Sequence, residues 1–422
     1  MHYMMNDIKI IGEYNMKRLV TKICVIILCI SIIAGCAAPS ATNSSSASPP
    51  STDLASTAST EPEGSSSTEA GGPIRLGLIS SLTGEQSLVG EYASNAMELF
   101  LEEINGSGGL LGREVEVVVE DDMGSDPGAV NAYNKLAQDD SIVGIVAPYF
   151  STRGLAIAGE VAKAQIPTMQ GGSAVAIGEL DNDWMFQARS SDGIVAAAVA
   201  YYGVDTLHAT KLSILYDSDA AGQGQMEAAV GALKDRGIEA VTCDAFNTGE
   251  KDFTAQIVRI QQAGAEVILA YALQIEAGLM MKQIRDMGMT IPIVGNTSFP
   301  SKIALDLAGE AAEGVYSCVD YVPTSPRPKT KVFAPKYKEK FGIESDFTAS
   351  VVYDQLLLLA EAIKIAGSTD RTAIRDAVYK IQDFEGTSTV FSFDEKGRGG
   401  TGVLLTQVQN GVPVVLDMIS AR

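Results

Sequence analysis

The feature that most constrains the fold is a regular alternation of short apolar runs and amphipathic stretches from residue 73 onward. Each run is a few residues long, is rich in Val and Ile, and precedes a helical pattern of apolar residues. The runs cover residues 74–79, 115–119, 142–147, 212–216, 267–270 and 291–294. Continuous apolar strands joined by helices are typical of parallel sheets covered on both faces, and right-handed crossovers make such sheets doubly wound.

The length of this pattern indicates two α/β domains, because roughly 350 residues exceed what one sheet of this kind usually takes. The end of the chain differs from the rest. Residues 390–394 and 403–408 predict further strands, and Asn410-Gly411 predicts a hairpin turn after the second of them, since Asn-Gly accepts positive φ angles.

The first 35 residues predict a secretory signal peptide. A basic segment at residues 16–22 precedes an apolar run at residues 23–33 that is too short to span a bilayer stably. Met16 gives this signal a better start than Met1 does. The chain is therefore expected outside the cytoplasm.

The segment Ile33-Ala34-Gly35-Cys36 resembles the bacterial lipobox. The resemblance implies that Cys36 carries a diacylglyceryl group, whose acyl chains, such as palmitate, anchor the protein to the cell membrane. The alternative is an ordinary signal peptide with an incidental Cys. Residues 36–72 then form a disordered tether, because 16 of the 36 residues from 37 to 72 are Ser or Thr and none is Lys, Arg or aromatic.

Charge and residue usage exclude several functions. The formal net charge is −21; residues 1–35 hold four basic and two acidic side chains, so the remainder keeps 27 basic and 50 acidic residues, a net −23. Such a surface repels phosphate backbones, so no nucleic-acid partner is expected. Phosphate-loop, nucleophile-elbow, HExxH and CxxC motifs do not occur. We therefore predict no enzyme, no cofactor and no metal site.

Two cysteines remain outside the signal peptide, Cys243 and Cys318, each in a predicted strand. We expect two buried free thiols; one disulfide in an oxidising compartment is the alternative.

Candidate binding residues follow the predicted strands, because ligands of open parallel sheets lie beyond the carboxyl ends of the strands, near helix N-termini. Three such segments are rich in hydroxyl groups or glycine: residues 80–87, 148–152 and 170–174. Their backbone amides can hold a carboxylate. Ser151, however, can equally be a helix N-cap that binds nothing.

The chain resembles the leucine/isoleucine/valine-binding proteins, which are extracytoplasmic ligand-binding subunits of amino-acid ABC importers. The resemblance covers roughly residues 73–422. It rests on the order of several motifs, at residues 74–84, 104–113, 121–122, 249–254, 309–314 and 353–354. It implies a periplasmic binding fold of type I: two lobes, residues 73–190 plus 322–391 and residues 191–321 plus 392–422, joined by a three-crossover hinge.

The resemblance also implies part of the binding site. The ligand carboxylate is expected at Ser151 and at the segment Gly172-Ser173-Ala174. Tyr353 corresponds to an aromatic residue near the cleft. Thr297 stands where the family has an acid that holds the α-ammonium group.

Other specificity positions depart from the family. Val89, Ala221 and Leu273 stand where the best-known members have Tyr. Either another acid turns toward the cleft or the ligand is not an ordinary α-amino acid, because a buried ammonium group without a carboxylate is costly. The candidate acids are Asp219, Glu276 and Asp320.

The predicted function is that of a monomeric, lipid-anchored binding protein that captures a small amino acid or related carboxylate, resembling the branched-chain amino acids. It would deliver this ligand to an ABC permease and its ATPase. A lipoprotein of the same fold that senses a ligand and signals to a membrane receptor is the alternative.

Overall fold

The structure, a computed structural model, describes residues 71–84 and 86–420. The predicted signal peptide, Cys36 and nearly all of the predicted tether lie outside these residues. Within the part of the chain that is described, no helix is both long enough and apolar enough to cross a membrane.

The first sheet contains five parallel strands in the order β2-β1-β3-β4-β5. Their bounds are β1 Ile74–Ser80, β2 Val115–Asp121, β3 Ile142–Val146, β4 Thr168–Gln170 and β5 Met185–Gln187. The central strand β3 is buried at every residue, as expected for a sheet covered on both faces. This strand order places a topological switch point between β1 and β3.

The second sheet contains seven strands in the order β14-β13-β10-β9-β8-β6-β7. Their bounds are β6 Leu212–Asp217, β7 Thr242–Phe246, β8 Val267–Tyr271, β9 Ile293–Gly295, β10 Tyr316–Val319, β13 Gly402–Gln409 and β14 Val412–Ser420. Strands β6 to β10 are parallel, whereas β13 and β14 are antiparallel. The hairpin turn predicted at Asn410-Gly411 is confirmed, with φ angles of 55° and 76°.

A short antiparallel pair, β11 Phe384–Glu385 and β12 Val390–Phe391, precedes β13. The predicted strand at residues 390–394 is therefore present only in its first two residues.

Helices cover both faces of both sheets. The α-helices of the described residues are α1 Ser87–Gly106, α2 Asp126–Ala137, α3 Ser151–Ala164, α4 Asp192–Tyr201, α5 Ala220–Asp235, α6 Thr254–Gln262, α7 Gln274–Asp286, α8 Lys302–Ala308, α9 Pro328–Phe341, α10 Phe347–Ala366 and α11 Arg371–Val378. On the first sheet, α1, α10 and α11 bury one face, and α2 and α3 bury the other. On the second sheet, α6, α7 and α8 bury one face, and α4 and α5 bury the other. The prediction of two doubly wound parallel sheets is confirmed.

The chain passes between the two sheets three times: between β5 and α4, between β10 and α9, and between β12 and β13. Side chains tie these crossing segments to one another. Ser190 Oγ donates a hydrogen bond of 2.6 Å to the carbonyl of Gly402. Arg189 forms a buried ion pair with Asp320.

The two cysteines are free thiols, as predicted. Cys318 is buried in β10, but Cys243 is exposed in β7, so the prediction that both are buried is wrong. The reason is that β7 is the edge strand of its sheet, and its alternate side chains point to solvent.

Candidate functional site

The carboxyl ends of β3 and β4 bring two predicted binding segments together. Ser151 begins α3, and its Oγ accepts a hydrogen bond of 3.1 Å from the backbone N–H of Ala174. Gly172 lies against the same residue: a Cβ on Gly172 would stand 2.8 Å from Ser151 Cα and 2.9 Å from Ser151 Oγ. Only glycine fits this approach, so the structure brings Ser151 and residues 172–174 together in one candidate site.

The N-cap alternative for Ser151 is not what the structure shows. The N-cap of α3 is Phe150, which makes no side-chain cap bond, and Ser151 is the first helical residue. A hydroxyl that accepts from Ala174 still has its own hydrogen to donate. The adjoining N-terminus of α3 adds positive potential, which favours an anion at this point.

Thr297 lies at the carboxyl edge of the second sheet, in the turn after β9, and is half-buried. Its neighbour Asn296 donates to Gln225 Oε1 of α5 at 2.9 Å. The side chains of Gln225 and Ser173 also act on the carboxylate of Asp192, where they lower its pKa against the effect of burial. The structure therefore connects the Thr297 turn to the Ser151 site through side chains of α4 and α5.

Asp192 is the acid that the sequence did not single out. It opens α4 on the first crossing segment, is half-buried, and its backbone N–H donates to the carbonyl of Ser173 at 2.7 Å. Burial raises the pKa of its carboxyl group above the usual value. A carboxylate kept in a desolvated position beside a binding segment is suited to a cationic group of a ligand. The feature of the sequence that could have pointed to Asp192 is the serine before it, because Ser191 caps helix α4 and so places Asp192 in its first turn.

The three acids suggested by the sequence already have partners. Asp219 is the N-cap of α5 and accepts from Gly222 N–H at 2.7 Å. Glu276 accepts from Gly249 N–H at 2.8 Å. Asp320 pairs with Arg189. The contacts of Asp219 and Glu276 account for those two acids without a ligand, whereas Asp320 keeps Oδ1 buried and without a hydrogen bond among the described residues.

Tyr353 does not join the Ser151 site. Its side chain is buried in the helical layer on the first sheet, where its ring centroid lies 4.6 Å from that of Phe333 and its hydroxyl donates to Glu103. Burial raises the pKa of the phenol well above its ordinary value. Tyr353 therefore packs inside the helical layer and does not lie at the cleft, where the resemblance implies an aromatic residue.

Other aromatic side chains lie next to Ser151. The rings of Tyr149 and Phe150 are 5.2 Å apart, and Tyr149 also contacts Phe347 at 5.1 Å. Two buried guanidinium groups stack on them, Arg153 over Phe150 at 4.1 Å and Arg189 over Tyr149 at 5.2 Å. Burial raises the pKa of Tyr149 to about 12. These residues form an aromatic and cationic cluster beside Ser151.

Val89, Ala221 and Leu273 belong to the helix starts that follow β1, β6 and β8, at the carboxyl edges of the two sheets. Val89 and Ala221 are half-buried, and Leu273 is 49% exposed. All three present aliphatic surface. Among the described residues, no three His, Cys, Asp or Glu side chains are grouped to hold a metal ion.

Two doubly wound sheets and three crossing segments are the architecture of the type I periplasmic binding fold. The profile of the family described as periplasmic binding protein matches residues 73–412, and the chain belongs to this family. The resemblance drawn from the sequence is thereby confirmed. Its homologues are solute-binding proteins, not enzymes.

Individual relatives agree with this assignment. The chain is 27% identical over 329 residues to Leu/Ile/Val-binding protein homolog 3 of Brucella melitensis, covering 77% of this chain and 88% of that protein. A solved leucine-binding protein from Thermotoga maritima is 25% identical, with a TM-score of 0.71 and coverage of 82% of this chain and 99% of the other. A solute-binding protein of an ABC transporter from R. palustris, solved with benzoate, is 19% identical, with a TM-score of 0.69 and coverage of 83% and 97%.

Proposed function

We propose that the chain is the extracytoplasmic substrate-binding subunit of an ABC importer, which captures a small branched-chain-like amino acid between its two lobes and delivers it to a permease and ATPase. The observation that carries the proposal is the convergence of Ser151 with Gly172 and Ala174 at the carboxyl ends of β3 and β4. The names of its relatives, a Leu/Ile/Val-binding homolog and a leucine-binding protein, support the choice of ligand.

The carboxylate of the ligand would bind at Ser151. Its hydroxyl hydrogen and the N-terminus of α3 both favour a negative charge, and the absence of a Cβ on Gly172 lets the segment after β4 pack directly against Ser151. A hydrogen bond to a charged group contributes about 1.5–3 kcal/mol. This is enough to select carboxylates over neutral analogues.

The ammonium group would bind at Asp192, which takes over the role that the family gives to the acid at the Thr297 position. Asp192 lies against Ser173 and is held by Gln225, so a group bonded to the same carbon as the carboxylate can reach it. Thr297, Val89, Ala221 and Leu273 would contact the rest of the ligand. We leave Tyr353 out of the site.

The two lobes would be residues 73–190 plus 322–391 and residues 191–321 plus 392–422, closing around the ligand about the three crossing segments as a monomer. Hinge closure is the common motion of binding proteins of this kind. The position of the site supports this arrangement, since Ser173 of one lobe already contacts Asp192 at the start of the other.

The lipid anchor at Cys36 is part of the proposal, supported by the segment Ile33-Ala34-Gly35-Cys36 after a basic and apolar run. We expect Cys36→Ala to release the protein from the membrane fraction, because two acyl chains hold a protein stably and a bare signal remnant does not. Fractionation and mass measurement check this. An unchanged mass and continued membrane association of the variant would contradict it.

The function is tested by calorimetric titration of the unmodified chain with leucine, isoleucine, valine, benzoate and 4-methylpentanoate, which is leucine without its amino group. We expect leucine to bind more tightly than 4-methylpentanoate. Ser151→Ala should weaken leucine about ten- to a hundredfold, the equivalent of one hydrogen bond to a charged group.

Asp192→Asn separates the two halves of the site in the same experiment. It should weaken leucine by a similar factor and leave 4-methylpentanoate unaffected, because only leucine carries the ammonium group. Failure of every amino acid to bind would contradict the proposed function. Leucine binding that is indifferent to both substitutions would place the ligand elsewhere.

A further inference from the structure

The segment that carries the carboxylate site is held by one side chain from the neighbouring strand. Gln187, the last residue of β5, is buried, and its Nε2 donates to the carbonyls of Gly172 at 3.0 Å and of Ala174 at 3.1 Å. The two bonds span Ser173. They fix the curvature that brings the N–H of Ala174 to Ser151.

The direction of these bonds also orients the amides. In a trans peptide the C=O and the next N–H point in opposite directions. Because the carbonyl of Gly172 points toward Gln187, the N–H of Ser173 points away from β5. A segment without this restraint would be free to turn its carbonyls toward the ligand carboxylate, which repels them.

The backbone of Gln187 has a second set of partners on the last crossing segment. Its N–H donates to the carbonyl of Gly397 at 2.8 Å, and its carbonyl accepts from Gly399 N–H at 3.0 Å. This segment bridges to β5 of the first sheet at Arg398 and continues into β13 of the second sheet. One residue therefore contacts the binding segment through its side chain and a crossing segment through its backbone.

The side-chain oxygen of Gln187 supports a role for the amide nitrogen in particular. Its Oε1 is buried and makes no hydrogen bond among the described residues. An unpaired buried acceptor is costly, so the packing of this side chain alone does not account for a glutamine here. The two hydrogen bonds that Nε2 donates do account for a glutamine at this position.

We infer that Gln187 is a positioning residue that holds residues 172–174 in their ligand-binding form and couples them to the crossing segment at 397–399, so that ligand capture and lobe closure are linked. The inference rests on the proposed function, and it adds a residue that does not itself touch the ligand.

The test compares Gln187→Met with Gln355→Met by calorimetry with leucine. Methionine has nearly the same length but cannot donate. Gln355 is the comparison residue: it too is a fully buried glutamine with an unpaired Oε1, but its Nε2 donates to the carbonyls of Met169 at 2.7 Å and Ala147 at 3.5 Å and not to residues 172–174. We expect at least a tenfold loss of leucine affinity in Gln187→Met and less than threefold in Gln355→Met.

A second readout isolates the coupling. The change in radius of gyration on saturation with leucine, measured by small-angle scattering, should be smaller in Gln187→Met than in the unmodified chain. In the unmodified chain, leucine should slow hydrogen exchange at Ala174 N–H and Gly399 N–H together, a measurement that does not depend on the variant folding. Equal losses in both variants, or an unchanged rate at Gly399, would overturn the inference. Absence of leucine binding by the unmodified chain would overturn the proposed function as well.

Discussion

Gly172→Val should abolish ligand binding while the protein stays folded. A Cβ at this position would stand 2.6 Å from Ile177 Cδ1 and 2.8 Å from Ser151 Cα, and real Cβ atoms do not approach other atoms this closely. One of these neighbours is backbone, so the segment after β4 has to move away from α3. The contact between Ala174 N–H and Ser151 Oγ is then lost, and the carboxylate site with it.

The expected magnitude separates binding from stability. Overpacking of this kind costs about 1–3 kcal/mol of folding stability, whereas we expect leucine affinity to fall by more than about a thousandfold, because every group that holds the carboxylate is displaced. Urea denaturation and calorimetry measure the two quantities. Gly159→Val is the matched control: Gly159 lies on the same helix α3, and nothing stands within 4 Å of the Cβ it would gain.

The outcome for Gly159→Val should be unchanged leucine affinity. Retention of affinity within threefold in Gly172→Val would show that the ligand does not use this segment. The carboxylate site would then have to lie elsewhere on the strand ends.

The fold, and the place where Ser151 and Gly172 meet in the candidate site, were predictable because both follow from local patterns. Continuous apolar strands and intervening helical periodicity require parallel sheets, and parallel strands place their carboxyl ends at one edge. Ser151 and Gly172 each follow such a strand directly. The two residues meet because β3 and β4 are neighbours in the sheet. A Cβ added to Gly172 would stand 2.8 Å from Ser151 Cα.

The remaining site residues were not predictable in the same way, because their positions depend on packing between distant segments. Tyr353 follows the family motif, but the face of α10 on which it lies is turned toward Phe333 and Glu103. Asp192 lies on the first crossing segment, and Gln187 lies at the end of β5, where that segment begins. Nothing in their neighbouring residues shows that Ser173 and Gly172 contact them.

Asp354→Ala should cause the largest loss of stability of any substitution considered. Asp354 is fully buried in α10, next to Tyr353, and its carboxylate accepts four hydrogen bonds. Oδ1 accepts from the N–H and hydroxyl of Thr387, at 2.7 and 3.0 Å, and Oδ2 accepts from the N–H and hydroxyl of Ser388, at 2.9 and 2.6 Å. These bonds fix the turn that precedes β12 and the last crossing segment.

Removing the carboxylate leaves the buried N–H groups of residues 387 and 388 and the hydroxyl of Ser388 without their acceptor, while the hydroxyl of Thr387 still lies 3.3 Å from the carbonyl of Ser350. Each buried donor left without an acceptor costs about 1–3 kcal/mol, so the two N–H groups together predict a loss of about 3–5 kcal/mol. Urea denaturation of the soluble chain measures the loss. Asp376→Ala, on the exposed side of α11 where Asp376 pairs with its neighbour Arg375, should stay within about 0.5 kcal/mol of the unmodified chain.

Asp354→Asn distinguishes charge from geometry at the same position. Burial raises the pKa of Asp354 even though the four hydrogen bonds act to lower it, so removal of the charge relieves part of the desolvation cost. The amide, however, sets an NH2 group against donors at either Thr387 or Ser388, and two of the four bonds are lost. We therefore expect about half the destabilisation of Asp354→Ala. If the Asn variant is instead as stable as the unmodified chain, the donors at 387 and 388 find other acceptors, and the turn before β12 does not depend on this carboxylate.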